Sequence, residues 1–270
     1  TELGSTDWLK LLAIHEYRHV VQFDYFKRNF SLVPARLFGD YGLAVISHMA
    51  LPFWYFEGDA VSAETLLSNE GRGRLPSFEM KVKAIVTDKN QKFTYNQAYL
   101  GSYKRYFPNY YYLGYFMHTH VSRNYGIKTW PYIINKVTYF PVLPYSFSRS
   151  LKKYTGFYLV KTYRNTINEL KEQWSDETFT IPEELEPIKT EKNKVYTHYK
   201  YGHRSINNDI ICLKYGMADT PELIKIDSNG NETKIKEINN DFFISSNGRK
   251  IVWNTLKTDI RWGMRDYSDI

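Results

Sequence analysis

Within His15-Glu16-Tyr17-Arg18-His19, two imidazoles stand four positions apart, with a carboxylate directly after the first. On an α-helix this spacing places the imidazoles one turn apart on one face, where their nitrogens can converge on a single cation. Imidazole nitrogens bind Zn2+ at about 2.0–2.1 Å. Glu16, beside that face, can reach a water held by the metal; zinc lowers the water's pKa and the carboxylate takes its proton. H-E-x-x-H thus supplies two ligands, His15 and His19, and a general base, Glu16. The surrounding residues suit a helix. Leu9, Leu12, Ala13, Tyr17, Val20 and Val21 recur at helical spacing, and Ser5, Thr6 or Asp7 can cap its start.

A zinc site that works on a substrate needs a third protein ligand and an open position. Glu57 offers itself in Leu51-Pro52-Phe53-Trp54-Tyr55-Phe56-Glu57-Gly58-Asp59-Ala60. A carboxylate in the first turns of an aromatic helix is costly to bury unless something pairs with it, and a cation does so. Glu64 competes. It lies two turns further along the same face, as a ligand or as an acceptor for an imidazole N–H. The helix carrying both should start at Pro52 and end near Leu67, before Gly71 and Gly73.

His15-Glu16-x-x-His19 followed by Trp54-x-x-Glu57-Gly58-x-Ala60 resembles the peptidase MA-like gluzincins. These include thermolysin and, more closely, the aminopeptidases with a downstream W-x-x-E-G-x-A. The resemblance implies one Zn2+ ion with Glu57 as third ligand, and a peptide or protein substrate. It also implies a Tyr, three residues before a helix-opening Gly, that stabilises the tetrahedral intermediate. In Tyr110-Tyr111-Tyr112-Leu113-Gly114 the spacing matches Tyr111, with Tyr110 and Tyr112 as alternatives. The phenol O–H would donate to the developing oxyanion.

The resemblance covers roughly residues 5 to 175, with departures. The gap from His19 to Glu57 is longer than in the aminopeptidases, which implies an inserted loop over Phe23–Ala50. Val61 stands four after Glu57, so thermolysin's E-x-x-x-D support is absent. No Gly-x-Met-Glu-Asn type motif is present, so aminopeptidase activity is not implied. The sheet that precedes the active-site helix in such enzymes is missing, and the start reads as clipped.

The elements that must position these residues follow from periodicity. Further helices are expected from Tyr110 to Asn124, stopped by Gly126, and at 129–138, 146–154 and 157–173. His118 and His120, two apart, point to different faces and read as core or surface residues; His48 reads as a loop residue. Residues 176–194, rich in Glu, Lys, Thr and Pro, read as a linker between a helical domain over 1–175 and a strand region over 195–270. Strands are expected at Asp209–Lys214, Glu222–Ile226, Glu232–Ile238, Phe242–Ile244 and Lys250–Asn254, forming one antiparallel blade-like sheet, and His198 and His203 belong to that sheet segment. The fold class is α+β.

Lys250-Ile251-Val252-Trp253 and Arg261-Trp262-Gly263-x-Arg265-x-Tyr267-Ser268 look like the first blade of a TolB-like β-propeller. In bacterial envelope proteins such propellers follow a peptidase MA-like domain. That resemblance implies the periplasm or cell surface of a bacterium, and a protein partner held through the propeller. It also carries the alternative reading, a non-catalytic envelope scaffold with a degenerate peptidase domain.

Bulk composition narrows the field. The 270 residues are 43% hydrophobic and 24% charged, enough apolar material for a core. The net charge is +7, and the densest basic stretch, Arg72 to Arg105, accompanies no nucleic-acid motif, so it reads as a solvated face and no nucleic-acid partner is expected. The single cysteine, Cys212, excludes an intramolecular disulfide and a cysteine-based metal site. No apolar run approaches the roughly 18 residues of a membrane span.

Overall fold

The computed structural model describes residues 8–88, 92–175, 195–238 and 243–269. The chain is α+β, helical over its first part and antiparallel β afterwards. It divides into a helical unit and a strand unit. The expected linker over 176–194 and the capping candidates Ser5, Thr6 and Asp7 lie outside the described residues.

The helical unit runs α1 (Trp8–Phe26), a 3-10 turn (Asn29–Ser31), α2 (Leu32–Ala50), α3 (Phe53–Leu67), a second 3-10 turn (Arg72–Arg74), α4 (Pro76–Thr87), α5 (Tyr95–Leu100), α6 (Tyr110–Tyr125), α7 (Thr129–Val137), α8 (Ser146–Thr155) and α9 (Leu159–Ser175). Local chemistry sets several boundaries. Pro52 is extended and precedes α3 by one residue, not forming its first turn. Thr94 and Gln97 form a reciprocal capping box on α5. Gly126 and Gly156, both at positive φ, end α6 and α8.

Two regions differ from expectation. The segment expected as an inserted loop over Phe23–Ala50 is the end of α1, a 3-10 turn and α2, and His48 sits on α2 with Nδ1 2.7 Å from the Ala44 carbonyl oxygen. Pro34 occupies the first turn of α2, where a missing N–H breaks no hydrogen bond. Gly39 takes φ 61° and ψ −146°, conformations open to glycine, and the helix kinks there and continues. The basic stretch Arg72–Arg105, read only as a solvated face, also carries α4 and α5.

Helix α3 runs through the middle of this unit. Trp54, Ala60 and Val61 are fully buried, and the Trp54 indole N–H donates to the Tyr95 hydroxyl at 2.8 Å. Its closest neighbour is α6. A Cβ on Gly58 would stand 2.1 Å from the Gly114 carbonyl carbon, and a Cβ on Gly114 would stand 2.0 Å from the Trp54 carbonyl oxygen. The two backbones therefore touch, and only glycine fits on either side. Gly114 lies inside the second turn of α6 and does not open it. A second cluster, Val61, Phe78, Val82, Tyr112, Leu170 and Trp174, packs α4 and α9 against the same pair.

The strand unit holds a four-stranded antiparallel meander, β1 (Thr197–Arg204), β2 (Ile210–Gly216), β3 (Glu222–Ile226) and β4 (Glu232–Glu237), in that order. The expected single sheet is three: β5 (Ile244–Ser246) pairs only with β6 (Ile251–Trp253), and β7 (Thr255–Thr258) only with β8 (Asp266–Asp269), among the described residues. Turn chemistry at Ser246-Asn247-Gly248 and at Asp259 closes each hairpin on itself. Phe242 lies outside the described residues. Alternation splits the meander's core: Leu213 and Leu223 pack with Ile238 and Ile244, while Cys212, Ile224 and Ile226 form the other cluster. Burial pushes the Cys212 thiol up to about 11, so it stays a packed, protonated side chain.

Gly58→Ala and Gly114→Ala should each destabilise the protein, because the added methyl meets backbone that cannot yield without separating α3 from α6. Overpacking of this kind costs about 1–3 kcal/mol, more than the helix propensity alanine restores. Thermal melts check this; a melting temperature raised by either change would show that the helices separate freely.

Candidate metal centre

Helix α1 presents His15 and His19 one turn apart, and the start of α3 brings Glu57 against them. His15 Nε2 lies 3.2 Å from Glu57 Oε2 and 3.3 Å from His19 Nε2, and His19 Nε2 lies 3.7 Å from Glu57 Oε2. Three atoms held by one tetrahedral Zn2+ at about 2.0–2.1 Å stand roughly 3.3–3.4 Å apart. Two sides of the observed triangle, 3.2 and 3.3 Å, are close to those dimensions, and the third, 3.7 Å, is longer. Among the described residues, these three side chains are the one group of His, Cys, Asp or Glu with converging ligand atoms.

Each imidazole has a partner on its far nitrogen. His19 Nδ1–H donates to Gln22 Oε1 at 2.8 Å, which leaves the Nε2 lone pair facing the triangle. Gln22 is itself held: its amide nitrogen donates to the Phe56 carbonyl at 2.9 Å and to Asp59 Oδ2 at 2.7 Å. Asp59, buried on α3, takes a bidentate fork from Arg18 at 2.8 and 2.9 Å and faces His118 Nε2 at 3.1 Å. The Asp59 carboxyl, which burial alone would raise, is held well below the usual range by His118 and Arg18.

The His15 side is held differently. Glu64 Oε2 lies 3.2 Å from His15 Nδ1, so Glu64 is the partner of the imidazole's far side and not a ligand. Arg72 clamps Glu64 with Nε at 2.7 Å and Nη2 at 2.9 Å, and its own backbone N–H donates to Glu64 Oε1 at 3.0 Å. Arg72 Nη2 also lies 2.7 Å from His15 Nδ1. Two donors cannot share that contact. With Nδ1 accepting from Arg72, the ring proton sits on Nε2 and donates to Glu57. With Nδ1–H donating to Glu64, the Nε2 lone pair is free for a cation. A bound metal selects the second tautomer.

Charge in the cluster is shared. Burial acts to lower the His15 pKa, but hydrogen bonds to Glu57 and Glu64 outweigh it and raise it to about 9. His19 is raised chiefly by Glu57. Burial acts to raise Glu57, and hydrogen bonds from His15 and His19 outweigh it, bringing it down to about 2.

The remaining expected residues are also placed. Tyr111, on the first turn of α6, stacks on His15 with ring centroids 6.3 Å apart. Burial, then the Glu57 charge, pushes its phenol up to about 12, so it keeps its proton. Tyr112 points elsewhere: Lys81 donates to its hydroxyl at 2.8 Å, and it stacks on Phe78. Tyr110 stacks on Tyr111 and faces Phe53. Glu16 is exposed and has no ion pair or hydrogen bond among the described residues. His118 and His120 are both buried, His118 on Asp59 and His120 on Glu169. His198 and His203 belong to β1.

Arg18, Gln22, Asp59 and Arg72 were not singled out as site residues from sequence. Arg18 lies inside H-E-x-x-H, and a helix bearing Glu57, Asp59 and Glu64 in an apolar setting must find cations. That was the available signal. Comparison of the chain with protein-family models, curated proteins and solved structures gave no match, so the site is read from its own geometry.

His15 has a folded pKa above its ordinary value of 6.5, so in metal-free protein its stabilisation is complete below about pH 6.5 and lost as pH rises through about 9. Zinc and protons compete for the same nitrogens, so zinc binding strengthens over that interval. Melts of metal-free and zinc-saturated protein should show the first falling and the zinc-induced increment growing. An increment independent of pH would remove the imidazoles from the ligand set. Gln22→Ala should weaken zinc binding by about 10–100-fold while the fold persists, measured by competition with a chelating dye.

Proposed function

We propose that the helical unit is a zinc-dependent peptide hydrolase of the gluzincin type, with His15, His19 and Glu57 as ligands of one ion. The observation that supports this above all is the triangle of Nε2, Nε2 and Oε2 atoms, close to the size one tetrahedral ion requires, with the protonated Tyr111 phenol stacked on His15. When bound, Zn2+ supplies a Lewis acid that polarises a carbonyl and makes water nucleophilic near neutral pH.

The chain's own groups supply the proton transfers. Glu16 takes the proton of the attacking water as oxygen bonds to the scissile carbonyl carbon, then delivers it to the amide nitrogen as the C–N bond breaks. Its lack of partners in the described residues leaves both oxygens available. Tyr111 donates its O–H to the oxyanion that develops on the former carbonyl oxygen. Arg72 and Glu64 on one side, and Gln22 and Asp59 on the other, hold the imidazoles in orientation while charge moves.

The meander and hairpins of the strand unit fit the reading of 195–270 as the opening of a propeller that binds a protein partner, in the bacterial periplasm or on the cell surface. The hydrolase reading does not depend on this.

Glu16→Gln should keep its zinc and lose turnover by about 10²–10⁴-fold on a peptide library. Tyr111→Phe should keep zinc and lower kcat by about 10–10³-fold with little change in KM. His19→Ala should lose the metal altogether, read by elemental analysis. Wild-type activity in Glu16→Gln discards the base assignment, and full zinc content in His19→Ala discards the site.

A further inference from the structure

The turn between α7 and α8 presents apolar side chains to solvent on a rigid frame. Tyr139, Phe140, Val142, Leu143 and Tyr145 are exposed, Val142 by 67% and Tyr145 by 80%. The ends are fixed: Val137 and Thr138 are fully buried, and Phe147 on the other side is buried. Successive backbone bonds, Phe140 N–H to Val137 O, Leu143 N–H to Phe140 O and Ser146 N–H to Leu143 O, at 3.1, 3.2 and 3.0 Å, stiffen it. Tyr145 adopts φ 61°, a left-handed conformation that costs energy for a non-glycine residue and turns its ring outward. Phe30, also exposed, stacks on Phe140 at 6.1 Å and widens the patch.

The chain segment that carries this turn is cationic. From Asp88 to Glu169 the intervening chain has twelve Lys and Arg and no Asp or Glu. Lys136 lies 5.7 Å from the Tyr139 ring, and Arg149 donates to the Pro144 carbonyl at 2.8 Å, setting a guanidinium on the turn itself. Lys152 and Lys153 follow on the exposed side of α8. No described helix is long and apolar enough to cross a membrane.

We propose that this turn is a docking surface for the face of an anionic lipid bilayer. Aliphatic Val142 and Leu143 offer nothing to a nucleic acid, but they enter the boundary between headgroups and acyl chains, where Tyr and Phe rings also settle. The flanking cations complement anionic headgroups. A second copy of the chain is disfavoured as occupant, since pairing through this face sets two cationic rims against each other. The inference is independent of the zinc site.

Sedimentation of the full chain with sucrose-loaded vesicles tests it, using phosphatidylcholine alone and phosphatidylcholine mixed with phosphatidylglycerol. The chain should sediment with the mixed vesicles, at least tenfold less with the neutral ones, and less as salt rises. Phe140→Ser/Leu143→Ser should reduce binding at least tenfold with an unchanged melting temperature, and Lys152→Glu/Lys153→Glu should remove the preference for anionic lipid. No sedimentation with either vesicle, or wild-type binding by both variants, overturns the proposal. So does a dimer in light scattering that dissociates in the Phe140→Ser/Leu143→Ser variant, which gives the turn to a second copy.

Discussion

Helix α3 carries three carboxylates, Glu57, Asp59 and Glu64, into the interior of the helical unit, and each must meet a cation or a proton donor. Unpaired, any of them would cost several kcal/mol of desolvation. Every feature of the site answers that demand. Glu57 faces two imidazoles from α1, Asp59 takes Arg18, Gln22 and His118, and Glu64 takes Arg72 and His15. The packing of α1 and α6 on α3 is the same arrangement seen from the apolar side.

The order of these partners matters as much as their number. Two imidazoles and a carboxylate meet face to face, and each far nitrogen is held by a group that is itself held. The Arg72 contact with His15 Nδ1 makes the metal-free cluster a different hydrogen-bonded state from one whose Nε2 lone pairs are both directed inward. A cation held by the two Nε2 atoms would have to displace their protons, so its binding would be linked to proton release.

Much of this was legible in the residues. H-E-x-x-H fixed a helix and two facing imidazoles, because four residues make one turn whatever surrounds them. Glu57 was legible as the candidate third ligand and Glu64 as a competing ligand or imidazole partner; the fold sets Glu57 against both Nε2 atoms and Glu64 on the far nitrogen of His15. The remainder needed the third dimension. Asp59 lies two residues from Glu57 and so faces away from the triangle; it reaches His19 only through Gln22, three residues beyond that imidazole. Arg72 was read as one member of a basic stretch, since nothing in its neighbours shows that a 3-10 turn folds it back onto Glu64. Helix α2 was read as an inserted loop because the His19–Glu57 gap is longer than in the aminopeptidases; spacing gives the length of an insertion but not its conformation. In the strand unit, alternation located most strands but not their pairing, which short-range turn chemistry settled as separate hairpins.

The contact of Gly58 with Gly114 has a consequence for how this unit can vary. The separation of Tyr111 from Glu57 is set by main chain against main chain, three residues before one glycine and one before the other. Side chains farther along α3 and α6 can change size without altering that ruler. The aromatic core can thus drift while that spacing stays calibrated by two residues that have no side chain to trim.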